Sequence, residues 1–123
     1  MVTDADARKL ADDWIAAWNA HDLDRIMTHY GEEIEFTSPF IVKLLGNPAG
    51  TVRGRAALRS YFAKGLAAYP ELRFELIGVA SGVDSVVLHY RSVNDLEAFE
   101  VMVLDRAGTV SRVLAHYSAT GHG

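Results

Sequence analysis

At Leu72 the spacing of apolar residues changes, and no other feature of the chain constrains its fold as much. Before that point apolar side chains recur every three to four positions, as on one face of a helix. After it they alternate, as in a half-buried strand. "LRFELIGVA", "SVVLHYRSV", "LEAFEVMVLD" and "TVSRVLAHYSA" read as four strands, joined by "SGVD", "ND" and "RAG", connections short enough for hairpins. An antiparallel meander is predicted. The helices precede it and cannot interleave with its strands, so they must cover one of its faces, which gives an α+β domain.

The first 70 residues supply those helices. "VTDADARKLADDWIAAWNAHD" reads as the first, with Thr3 as cap, Asp4 and Asp6 at the positive end, and Leu10, Trp14 and Trp18 on one face. Asp22 caps a shorter helix, "LDRIMTHY", which Gly31 ends. "IEFTS" alternates as a strand that Pro39 stops. "IVKLLGNPAGTV" holds Gly46, Asn47, Pro48 and Gly50 and reads as a loop or irregular hairpin. "RAALRSYFAKGLAAY" is a third helix between Gly54 and Pro70, with Leu58, Tyr61, Phe62, Leu66 and Tyr69 as its apolar side. The expected order is α-α-β-α-β-β-β-β, and residues 1–123 are the size of one compact domain.

The hairpin connections give a register. A two-residue turn at "ND" sets His89 opposite Glu100 and Val87 opposite Met102; a turn at "AG" sets Met102 opposite Val113, Glu100 opposite Ala115 and Ala98 opposite Tyr117. One face then carries Val87, His89, Arg91, Ala98, Glu100, Met102, Val113, Ala115 and Tyr117. The other carries Val86, Leu88, Tyr90, Phe99, Val101, Val103, Leu114 and His116. The second face is too apolar for water, and the helices are needed on the first. A homodimer through the outer face is the economical solution.

Several function classes are excluded or unsupported. A net charge of −4, with acidic residues spread along the chain, gives no basis for nucleic-acid binding. There are no cysteines, which removes disulfides, thiol catalysis and cysteine-ligated metals. No run approaches the roughly 18 apolar residues of a membrane span, and a cytoplasmic location is expected. No H-E-x-x-H, phosphate-loop Lys-Ser/Thr or G-x-S-x-G is present, so no metal, nucleotide or other cofactor is expected.

"WIAAWNAHDLDRIMTHYGEEIEFTSPF", "VRGRAALRSYF" and "EVMVLDRAGTVSRVLAHY" together resemble the nuclear transport factor 2-like superfamily, in particular its SnoaL-like and ketosteroid-isomerase-like members. The resemblance covers nearly the whole chain. It implies a cone, a curved antiparallel sheet wrapped around the N-terminal helices with a cavity inside, often dimeric through the outer sheet face. The family's activities include isomerisation, cyclisation, dehydration and epoxide hydrolysis, and many members only bind or scaffold, so membership alone assigns no reaction. Its isomerases use a tyrosine on the first helix, an aspartate base ending the first strand and a second acid on the later sheet. By motif these positions fall on Trp14, Ser38 and Glu100. A serine cannot abstract a carbon-bound proton unaided, and indole is a weaker donor to an enolate than phenol, so ketosteroid isomerisation is not expected. Epoxide hydrolysis would need an Asp–Arg–Asp set, and Arg91 has no evident aspartate pair.

The expected pocket is therefore apolar or amphipathic, walled by Trp14, Trp18, Phe36, Ser38, Tyr61, Arg91, Met102 and Tyr117, with His89 and Glu100 as catalytic candidates. Each has a plainer reading: Trp14 and Trp18 as core, Ser38 as a strand-end cap, and Glu100 with His89 and Arg91 as a satisfied polar network. His116 falls on the outer face; His21, His29 and His122 look peripheral. Two functions remain open: acid/base catalysis without a cofactor (isomerase, cyclase or dehydratase), and a non-catalytic ligand-binding or dimerising module.

Overall fold

The computed structural model describes residues 1–118. Helix α1 (Asp4–Asn19) begins where Thr3 accepts the Asp6 N–H on its hydroxyl, and α2 (Leu23–Met27) begins where Asp22 does the same for Arg25. Strand β1 (Tyr30–Thr37) follows, then α3 (Pro39–Leu45), β2 (Thr51–Arg53) and α4 (Arg55–Ala68). The meander is β3 (Glu75–Ser81), β4 (Ser85–Arg91), β5 (Glu97–Leu104) and β6 (Val110–Ser118), with a short helical turn at Val93–Asp95 between β4 and β5. No helix among the described residues is long and apolar enough to cross a membrane.

The six strands form one curved sheet in the order β2-β1-β6-β5-β4-β3. The meander is antiparallel as expected, but β1 pairs with β6 in parallel, so the sheet is not wholly antiparallel. α2 is also shorter than its sequence suggests: it stops at Met27, and Tyr30 already belongs to the strand, the Val110 N–H reaching the carbonyl of His29. The loop expected after Ser38 is a helix. Ser38 Oγ accepts the Phe40 N–H, Pro39 occupies the first turn where its missing N–H costs nothing, and Gly46 closes the helix at φ 65°.

α1 lies along the sheet edge and is pinned at both ends. Ser81 donates to Asp4 at 2.6 Å, the Asn19 amide makes two bonds to the backbone of Phe74, and His21 Nε2–H donates to the carbonyl of Leu72 at 2.8 Å. α4 packs against β1 and α2. The core lies between these helices and the concave face, with Trp14, Tyr30, Ile34, Leu58, Leu88, Tyr90 and Met102 all sealed from water.

The β4–β5 register corrects one expectation with consequences for the site. Ser92 pairs with Leu96, so the connection has three residues, Val93 to Asp95, and not two. The extra residue shifts every pair by one: Leu88 faces Glu100, His89 faces Phe99 and Tyr90 faces Ala98. All of β4 turns over. Val86, Leu88 and Tyr90 point into the core, while Val87, His89 and Arg91 lie on the outer face. Burial explains the choice, because the two-residue turn would enclose His89 and Arg91 and expose Leu88 and Tyr90. The β5–β6 register is the one expected, with Met102 opposite Val113, Glu100 opposite Ala115 and Ala98 opposite Tyr117.

The connection needs two left-handed residues, Asn94 at φ 57° and Asp95 at φ 60°. Asn94→Val is expected to cost about 1–2 kcal/mol, since a β-branched residue resists that region, whereas Asn94→Gly is expected to be neutral or slightly stabilising. Urea unfolding of both variants checks this.

Candidate functional site

Inside the cone is a cavity of about 60 Å³, room for a few water-sized groups. Its deep wall comes from Trp14 and Trp18 of α1, Phe36 of β1 and Tyr61 and Phe62 of α4. Tyr90, Glu100 and Tyr117 form the sheet side, and half-buried Phe40, Leu44, Tyr69 and Val93 form the rim. The wall is interlocked. Trp14 stacks on Phe74 at 5.7 Å, meets the edge of Tyr90 at 5.1 Å, and donates its indole N–H to the Tyr30 hydroxyl at 2.9 Å.

Glu100 is the one carboxyl in this wall, only 2% exposed and set between Ala98 and Met102, both fully buried. Tyr90 donates to its Oε1 at 2.7 Å, and its Oε2 has no hydrogen-bond partner among the described residues. Burial pushes the carboxyl up to about 7, against the pull of the Tyr90 hydrogen bond. The surrounding phenols move up as well. Burial first, and then the Glu100 charge, raise Tyr30, Tyr90 and Tyr117, and Tyr61 is pushed up to about 12. They therefore remain protonated donors at neutral pH.

Ser38, 1% exposed, lies beside the hydroxyls of Tyr61 and Tyr117, and Tyr117 beside that of Tyr90, which donates to Glu100. The indole N–H of Trp18 is the other buried polar group of the lining without a partner. One carboxyl oxygen and one N–H are thus left unpartnered, both sealed from water, in an aromatic shell. No group of three or more His, Asp or Glu side chains among the described residues is placed to hold a metal ion.

Of the residues expected in the pocket, Trp14, Trp18, Phe36, Tyr61 and Tyr117 line it, and Ser38 stands directly behind its hydroxyls. Met102 is buried in the sheet without bordering the cavity. His89 and Arg91 are corrected: both lie on the outer face. His89 stacks on Phe99 at 4.2 Å and contacts Glu97 at 2.5 Å, and Arg91 pairs with Asp95 at 3.0 Å. The pairing of His89 with Glu100 is therefore not formed. His116 is on the outer face, its Nδ1 3.3 Å from the carbonyl of Phe99. His29 lies 2.9 Å from Asp13, and its pKa is lowered by burial, with Asp13 opposing. His122 lies outside the described residues.

Sequence reasoning missed Tyr90, Phe40 and Leu44. Tyr90 was turned outward by the assumed two-residue turn, although the apolar alternation of Val86, Leu88 and Tyr90 favours the inner face. Phe40 and Leu44 belong to α3, which the Ser38-Pro39 start and Gly46 stop could have revealed.

The family model described as a SnoaL-like domain matches residues 11–122. A SnoaL-like protein of unknown function from Burkholderia thailandensis has a solved structure 42% identical in sequence, covering 96% of this chain and 98% of its own, with a TM-score of 0.93. A SnoaL-like family protein from Agrobacterium tumefaciens, described as a candidate isomerase, is 17% identical over 92% of this chain and 97% of its own, with a TM-score of 0.75. The epoxide hydrolase/cyclase-like enzyme SalBIII, described as acting in pyran ring formation in the polyether salinomycin, is 20% identical over 98% and 96%, with a TM-score of 0.74. No curated protein matches the chain.

The buried carboxyl makes stability depend on pH. Below its ordinary value of 4.5, Glu100 is neutral in both folded and unfolded chains. Between 4.5 and about 7 only the unfolded chain ionises, so folding stability is lost as pH rises, by up to about 3 kcal/mol. Glu100→Gln removes that dependence. Urea unfolding should show the variant gaining on the parent at pH 8 relative to pH 5.

Proposed function

The chain belongs to the SnoaL-like domain family, and from that premise we propose that it binds a small, largely apolar molecule in the cone and moves a proton on it with Glu100, without a cofactor, as an isomerase, cyclase or dehydratase does. The observation that carries this reading is the carboxyl itself: buried in the cavity wall, poised near pH 7, with Oε2 unfilled. A carboxyl balanced between its two forms serves as base in one step and acid in the next. The unpartnered indole N–H of Trp18 supplies a donor for an oxygen that gains charge. The isomerase and cyclase descriptions of the distant structural neighbours agree with this class. Ketosteroid isomerisation is not part of it. Ser38 stands in place of a carboxylate and caps α3, and the Trp14 N–H is committed to Tyr30.

A second reading, a ligand-binding module without turnover, is favoured by the small cavity and by His89 lying outside it. Proton exchange separates the two. Small enolisable ketones incubated with the protein in D₂O should exchange their α-protons faster than in buffer, followed by proton NMR. Glu100→Gln should lower the rate about 10²–10⁴-fold. Binding without exchange supports the module.

The same reading includes a cytoplasmic homodimer. Val87, Phe99, Val101, Val103 and Leu114 share the outer face, none of them buried by the described residues, and Phe99 is 37% exposed. This patch differs from the expected one in β4, where Val87 replaces Leu88 and Tyr90. Val101→Arg places an unpaired charge there and should shift sedimentation from dimer to monomer at micromolar concentration. A parent protein that sediments as a monomer would contradict the dimer.

A further inference from the structure

Ten of the sixteen residues lining the cavity are aromatic, and none is Lys, Arg or His. The groups facing Glu100 are phenols on each packed element: Tyr30 on β1, Tyr61 on α4, Tyr90 on β4 and Tyr117 on β6. Arg91 is on the opposite sheet face, and exposed Lys43 lies over the Phe40 ring at 5.6 Å without lining the cavity. Among the described residues the ionised carboxylate therefore lacks both a countercharge and a donor for Oε2.

We propose that the ligand of this pocket carries an ammonium group, a compact primary or secondary amine whose N–H fills the vacant position on Glu100 Oε2 and whose charge rests against the aromatic wall. The inference names the ligand class of the pocket proposed above and rests on that pocket, not on turnover. A cation supplies what the wall lacks, a charge-assisted hydrogen bond and a partner for the ring electrons. A neutral alcohol fills Oε2 but leaves the charge uncompensated. An anion meets Glu100 with a single vacant donor, the Trp18 indole N–H, to hold it. The 60 Å³ volume restricts the inserted part to a compact group, and any remainder of the ligand passes the half-buried rim.

Isobutylamine, isobutanol and isobutyrate match in shape and differ in charge. Each is titrated into the full-length protein while the two tryptophan indole N–H signals are followed by nitrogen–proton NMR. At pH 8 the amine should bind at least about tenfold tighter than the alcohol, and isobutyrate should give no saturable shift. Amine affinity should rise from pH 5 to pH 8 as Glu100 ionises, while alcohol affinity stays flat. Glu100→Gln should abolish the amine preference, leaving amine and alcohol with equal affinity for the variant. The pH series on the parent decides the matter if that variant does not fold. Equal binding of amine and alcohol, preference for isobutyrate, an amine affinity indifferent to pH, or no shift with any of the three would overturn the proposal. Ketone proton exchange without amine preference removes this inference alone. Amine preference without exchange removes the catalytic reading alone.

Discussion

The hydrogen bond from the Trp14 indole N–H to the Tyr30 hydroxyl joins the first helix to the first strand in a region closed to water. Leaving either group unpaired there would cost about 1–3 kcal/mol, so the bond fixes the angle at which the ring enters the core. Phe74, Tyr90 and Trp18 then pack on that one ring, and Arg55 ties α4 to the same strand through the Tyr30 carbonyl. α1, β1, β4 and α4 are thus referenced to a single pair of side chains. The amide of Asn19 completes the arrangement by holding the backbone of Phe74 from both sides. A wall fixed in this way behaves as a surface and not as adaptable filling.

Against such a wall, Glu100 is the local choice that does not serve the fold. Its same-face neighbours on the strand, Ala98 and Met102, are apolar and fully buried, and an apolar residue in its place would pack without a desolvation cost. The protein partly compensates through Tyr90 and leaves Oε2 bare. Proteins whose residues otherwise agree at every level tend to break the pattern at functional sites. The hydroxyls of Tyr61 and Tyr117 lie near the same carboxyl, yet neither donates to Oε2.

What could be read from the sequence follows physical range. Thr3 and Asp22 each act on an N–H three residues away, and both caps were evident. The alternation after Leu72 fixed the meander, and the short connection at Arg106–Gly108 gave the β5–β6 register, so the side of the sheet carrying Glu100 and Tyr117 was legible. The β4–β5 connection was not, because "ND" suits a two-residue turn and the chain uses Val93 as well. There the inner demand of Leu88 and Tyr90 for burial overrode local turn chemistry. α3 was missed for a related reason: its seven residues lie among Pro and Gly that read as a loop, although the same Ser38-Pro39 and Gly46 start and stop a helix that buries Ile41. The parallel pairing of β1 with β6 is long-range and leaves no local mark.

The register that sequence reasoning misplaced is held from both faces at once. On the inside, Tyr90 lies opposite Ala98 and reaches diagonally to Glu100. On the outside, His89 lies opposite Phe99, stacks on it, and reaches diagonally to Glu97. Each polar pair requires the same alignment of the two strands, and a slip of one residue would break both and send Glu100 to meet His89. The outer pair is therefore not catalytic machinery displaced from the cavity. It is the second half of a clamp that keeps Tyr90 against Glu100, and so keeps the carboxyl in a setting of rings and hydroxyls where no cation among the described residues satisfies it.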